Sequence, residues 1–194
     1  MSTCLVSNDV TIDAVNRILA AVGDSPVSSI EEPTNVNVIN AIKELDRVNR
    51  GEQKRGWSFN TISEYTLNKD TNTGQVSWST TFLRLKDTSG GKQLVRKGDY
   101  LYNLTDQTFT FNSSITVEAV ILRDFEEMPE AMQDYIIAKA ANSFQIKYLG
   151  DPTLTESLQG ELQEAWMGLQ EYEMEQNDYN ALDNPDARQV IGRW

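Results

Sequence analysis

The residues most able to do chemistry in this chain are carboxylates. The segment "DFEEMPEAMQDYI", beginning at Asp124, sets Asp124, Glu126 and Glu127 just ahead of Pro129. Two carboxyl groups about 5–10 Å apart across a sugar bond would supply the acid and the base or nucleophile of a glycosidase. Glu126 or Glu127 would then need a second carboxylate distant in sequence, and no residue singles itself out. The same residues fit a structural role. Proline has no N–H to leave unpaired and a fixed φ, which suits the first turn of a helix. Carboxylates around that turn are stabilised by the positive end of the helix dipole. Asp124, Glu126, Glu127 and Glu130 all fit as capping charges, whereas catalysis accounts for only two of them. Capping is the expected role, and no catalytic residue is assigned.

Other chemistries are closed by composition. The 194 residues include no histidine and one cysteine, Cys4. Histidine triads, histidine metal sites and histidine proton shuttles are excluded together. A lone thiol forms no internal disulfide and is a poor metal site. No Walker loop, GxGxxG, zinc spacing, EF-hand or nucleophile elbow is present. No cofactor and no metal are expected.

The net charge of −12 is unevenly distributed. Residues 151–194 hold 10 acidic residues and only two basic ones, Arg188 and Arg193. Such a surface repels phosphate, so it is not expected to grip nucleic acid. It suits a wall past which DNA slides, a face for a basic partner, or solubility alone. A basic partner would betray itself by binding that weakens steeply with salt. No apolar run approaches the roughly 20 residues of a membrane helix, so no membrane anchor is expected. The opening "MSTCLVSND" lacks the pattern of a signal peptide, which suggests synthesis in a cytoplasm.

Helical periodicity positions these groups. Ile12, Val15, Ile18, Leu19 and Val22 recur at helical spacing, with Asn8 or Asp9 as cap and Gly23 as stop. A second helix runs from about Asn35 to Arg55 on Val38, Ile42, Leu45 and Val48, weakened by Gly51 and stopped by Gly56. Its basic end, with Arg47, Arg50, Lys54 and Arg55, reads as a solvated terminus favoured by the dipole. From Trp57 to Arg123 the period becomes two, giving five or six short antiparallel strands. The continuous apolar end of the last, Ala119 to Leu122, suggests burial against the helices. A third helix carries the stripe Met132, Ile136, Ala140, Phe144 and Tyr148, and ends at Gly150, with Pro152 preventing its resumption. A fourth, from about Thr153 to Tyr179, has the seam Leu158, Leu162, Ala165, Leu169 and Tyr172, widened by Trp166. Glu161, Glu164, Glu171, Glu175 and Asp178 form an acidic stripe along its edge. The closing residues combine Arg188, Val190, Ile191, Arg193 and Trp194, a set suited to docking on a partner. The fold class is α+β: a four-helix bundle with an antiparallel β subdomain inserted between helices 2 and 3. The expected division is 1–56 and 124–180 for the bundle, 57–123 for the insertion and 181–194 for an extended tail.

Four segments carry a likeness to a known family. They are "AVNRILAAVGDSPVSSIE", "KRGWSFNT", "LRDFEEMPEAMQDYIIAKAANSF" and "EYEMEQNDYNALD". With the element order, they resemble the tail tubular protein A family, the head-to-tail adaptors of short-tailed phages (podoviruses). The likeness covers about residues 10–184; Thr66 to Thr110 and the residues after Asp186 match poorly. It implies a virion tail protein that assembles as a dodecameric ring below the portal, with the tail nozzle beneath. It also implies a conduit through which DNA passes during ejection without specific binding. A carboxylate hydrolase of cell-wall polymers, peptidoglycan or polysaccharide, is the alternative, and a generic acidic interaction domain is a third reading.

Overall fold

The structure, a computed structural model, describes residues 6–88 and 90–176. It is mixed α+β, with four helices and a small antiparallel sheet. The helices are α1 (Val6–Ala20), α2 (Val36–Gln53), α3 (Glu130–Tyr148) and α4 (Pro152–Gln176). Between α2 and α3 lie β1 (Thr61–Leu67), β2 (Phe82–Asp87), β3 (Leu94–Lys97), β4 (Tyr100–Asn103) and β5 (Ile115–Ile121). All strand pairs are antiparallel. One sheet has the order β1-β5-β2, and β3-β4 form a separate hairpin. "VSWSTTFLRL" is not one strand: Gln75 and Ser77 make isolated bridges, and the regular ladder begins only at Phe82.

One apolar core draws on all four helices, with Val15, Ile18, Leu19, Val38, Leu45, Val48, Met132, Ile136, Phe144 and Leu169 all buried. A second, in the strand region, collects Leu67, Val76, Leu85, Leu101, Val117 and Ala119. β5 divides by face: Val117 and Ala119 join this core, while Val120, also fully buried, lies on the other face toward Gly56 just past the end of α2.

The helix boundaries hold further corrections. α1 begins at Val6, so Asn8 and Asp9 lie inside it and neither is its cap. α2 starts as expected, with Asn35 Oδ1 accepting from the Asn37 N–H at 2.9 Å. α3 is buried on more than a stripe, because α1, α2 and α4 all pack on it. Tyr135, Ile137, Ala138 and Ala141 are buried as well, while Tyr148, at the end of the stripe, is exposed and keeps only a ring contact to Phe144. Gly150 ends α3 at φ +70°, a conformation that costs a residue with a Cβ. Pro152 follows Gly150 where α3 does not resume, as expected, and it also opens the next helix. It is the first residue of α4, and Asp151 caps it by accepting from the N–H groups of Thr153 and Leu154 at 2.8 and 3.1 Å.

The acidic cluster is also placed differently from its expected position. Phe125–Glu127 form a separate 3-10 turn, and Pro129 is the N-cap residue of α3, with no side-chain cap bond. Of the four carboxylates only Glu130 lies in the first turn of α3. The entry is held instead by Gln133, whose Nε2 donates to the carbonyls of Phe125 and Met128 at 3.1 and 3.0 Å.

Gly51 is a helix-interior residue whose added Cβ would meet nothing within 4 Å. Gly51→Ala is therefore expected to stabilise the chain by about 1 kcal/mol, read as a raised urea midpoint.

Candidate functional site

Two regions position the polar groups: the α2–α3 interface with the joint below it, and α4. On α2 the apolar spacing Val38, Ala41, Leu45, Val48 continues onto Glu52, and Glu44 sits beside it. Both glutamates are buried. α3 answers with lysines. Lys147 Nζ lies 2.6 Å from Glu44 and Lys139 Nζ 2.6 Å from Glu52. Arg47 on α2 and Arg55 just past its end, each three residues along from its glutamate, complete the carboxylates at 2.6 and 3.1 Å. Two members of the basic helix end thus have partners, whereas sequence had them simply solvated.

The hydrogen bond from Arg47 holds the Glu44 carboxyl down at about 2 against the ordinary 4.5; burial opposes it, and Lys147 and Ser143 add to it. Burial alone would push the Lys139 ammonium down, but hydrogen bonds to Glu52 and the Tyr135 hydroxyl outweigh it and leave Lys139 raised. A carboxyl depressed on folding stabilises the fold above its unfolded pKa and loses that contribution as pH falls through the folded one. The lowering at Glu44 is linked to about 3 kcal/mol, of which screening of the two half-exposed cations leaves about 2. Stability is expected to fall by that amount between about pH 5 and pH 2. Glu44→Gln should flatten the profile there, as followed by thermal unfolding against pH.

The joint is where the chain passes from α2 to β1 and back from β5 to α3. Gln53 is fully buried. Its Nε2 donates to the Arg123 carbonyl at 2.9 Å, and its Oε1 accepts from the Arg123 N–H at 2.8 Å, so one side chain ties both passages. Asn60, also fully buried, donates to the Gln53 carbonyl at 3.0 Å and accepts from the Trp57 N–H at 2.8 Å. Trp57 donates from Nε1 to the Glu52 carbonyl at 2.9 Å and meets Trp166 of α4 edge-on. The Arg55 guanidinium lies 5.6 Å from the Trp166 ring centre. Glu173 turns inward and accepts from Ser58 Oγ at 2.8 Å and the Ser58 N–H at 3.2 Å.

On α4 the seam packs into the helical core, with Leu169 buried and Leu158, Leu162, Ala165, Trp166 and Tyr172 partly so. Glu161, Glu164, Glu171 and Glu175 are all exposed. Glu161 lines a mostly apolar groove of about 450 Å³ between α1, α3 and α4. Asp178 and the docking set Arg188, Val190, Ile191, Arg193 and Trp194 lie outside the described residues. Glu126 Oε1 accepts from Thr11 Oγ1 of α1 at 3.2 Å, a contact that fastens the 3-10 turn to the helices. Among the described residues no group of three or more His, Cys, Asp or Glu is placed to hold a metal, and no helix is long and apolar enough to cross a membrane.

The tail tubular protein family model matches residues 12–179, nearly the span in which helices, strands and joint are built. The chain belongs to the tail tubular protein family. Tail tubular protein A of Klebsiella phage KP34 is 32% identical over 120 residues, which cover 61% of this chain and 62% of that protein. The match thus spans less than two thirds of that relative's length. A tail tubular protein is a structural component of the phage virion tail. For this family member, sequence missed the buried polar set Glu44, Glu52, Gln53, Asn60 and the inward Glu173. One signal was present: Glu52 falls on the apolar spacing of α2, where a charged residue needs a partner.

Proposed function

We propose that this chain is a ring-forming adaptor that joins the portal to the tail nozzle, a protein of the tail tubular protein B type, and forms part of the DNA ejection channel. The family match over residues 12–179 carries this reading. The proposed assembly is a dodecamer. The proposed division is a four-helix bundle from 1–56 and 124–180, with 57–123 inserted between α2 and α3 as a β subdomain, and 181–194 as a tail. The separate apolar cores of helices and strands support that division. In this reading Arg188, Val190, Ile191, Arg193 and Trp194 dock on a partner. The stripe Glu161, Glu164, Glu171, Glu175 and Asp178 lies along the channel or a subunit boundary. Either place suits a surface past which DNA moves without counterion-release binding.

Chemistry plays no part in this role, and nothing at Glu126 or Glu127 favours a hydrolase. The test mixes the protein with portal and nozzle proteins of the same phage and follows the mixture by light scattering and negative-stain imaging. Rings seated on the portal are the expected result, and failure to co-assemble with either partner would overturn the proposal.

A further inference from the structure

The outward face of α2 is basic over its whole C-terminal half. Lys43, Arg47, Arg50 and Lys54 follow one another at steps of four, three and four, all exposed, directly opposite the buried side of the helix. Among the described residues only Arg47 of this row makes an ion pair, with Glu44, and more than half of its side chain stays in solvent. Asp46 is an acidic exception beside the row. On α4 the exposed glutamates 161, 164, 171 and 175 step by three, seven and four, and Gly168 occupies the missing place. An added Cβ there would meet nothing within 4 Å, which leaves a notch in the middle of the acidic row. Met167 and Met174 stand beside that row, 48% and 55% exposed. Val36, 66% exposed, continues the basic row one heptad before Lys43.

The two rows match in size. At 1.5 Å per residue the basic row spans about 16 Å and the acidic row about 21 Å. Within one chain they do not neutralise each other: no ion pair joins them among the described residues, and the acidic row runs along the edge of α4, where Glu161 and Glu164 border a groove shared with α1 and α3. Every copy therefore carries both halves of a complementary contact on two different surfaces. Such a contact between copies is head-to-tail, and repeated contacts of that type close into a ring when the rotation allows. Exposed methionines beside one row and a valine in line with the other add apolar surface to the charge match.

We infer that the basic face of α2 docks on the acidic face of α4 of a second copy of this chain. The inference rests on the ring reading above and deepens it. It assigns the α4 stripe to the boundary between subunits and away from the channel wall.

The test uses two full-length variants. One reverses the basic row (K43E, R50E, K54E), and the other reverses the acidic row (E161K, E164K, E171K). All six positions are exposed, so circular dichroism should show both folded, with melting temperatures close to that of the unaltered chain. Self-association is measured by sedimentation at low salt and high protein concentration. Each variant alone should associate at least about 100-fold more weakly than the unaltered chain. Their equimolar mixture should recover association, because each chain then offers the charge the other lacks, and added salt should dissolve it. Variants that associate as the unaltered chain does, or a mixture that stays monomeric, would overturn the inference. The two readings fail separately. Rings on a portal formed equally well by both variants would keep the adaptor and remove this contact. Recovery in the mixture without any portal binding would keep the contact and remove the adaptor.

Discussion

Gln53→Leu is expected to destabilise the chain by about 3 kcal/mol. Leucine fills most of the space of glutamine but offers no hydrogen bond. The Arg123 N–H and carbonyl lose bonds of 2.8 and 2.9 Å in a half-buried place, and Asn49 Oδ1 loses one of 2.7 Å. Leaving a buried backbone group unsatisfied costs about 1–3 kcal/mol, more than the bond contributes when made. The loss is expected as a lowered urea midpoint with an unchanged slope. Hydrogen exchange supplies the local readout, since the Arg123 amide should lose protection before the helix amides do. A variant as stable as the parent would mean that water replaces the glutamine, and that the joint is looser than its geometry indicates.

Gly56→Ala acts at the same joint by a different route and is expected to cost about 2–3 kcal/mol. Gly56 has φ +84°, which is costly for any residue with a Cβ. A Cβ built there would lie 2.9 Å from Arg84 Nη2, 3.1 Å from Val120 Cγ2 and 3.3 Å from Thr61 Oγ1. The arginine can move, but its Nη1 donates to the Arg55 carbonyl at 3.3 Å and would lose that bond. Val120 sits on the central strand with no exposed surface, so it has little room to yield. Thermal unfolding measures the loss. Gly51→Ala, five residues earlier and inside α2, is the matched control and has the opposite sign.

Periodicity made the helices legible because each carries an apolar row at regular spacing. The α4 seam and the α2 core residues Val38, Leu45 and Val48 follow directly from it. It failed where a segment's fate depends on what packs around it. α3 is more buried than its stripe because three helices surround it. β5 is apolar on both faces because Val117 and Ala119 line the strand-region core and Val120 is buried on the other side. The acidic cluster was misplaced because capping rules look for carboxylates on backbone N–H groups, whereas the turn around Glu126 is fixed by a side-chain amide one turn into α3, Gln133, and by Thr11 of the distant α1. The buried polar set was hidden for the same reason, apart from the one signal that Glu52 falls on the apolar spacing of α2. Glutamates 44 and 52 look like surface residues until the lysines of α3 are placed opposite them.

Those two glutamate–lysine pairs are eight residues apart on both helices, about 12 Å along the axis. Sliding α3 past α2 by a single turn, about 5.4 Å, moves both lysines off their carboxylates in the same stroke. Arg47 and Arg55 stay beside their carboxylates in such a slip, and the two lysines, both more than a third exposed, are worth about 1 kcal/mol each. The ladder is therefore a vernier: both pairs agree in one register only, so it selects how α3 seats along α2 more than it holds the two together.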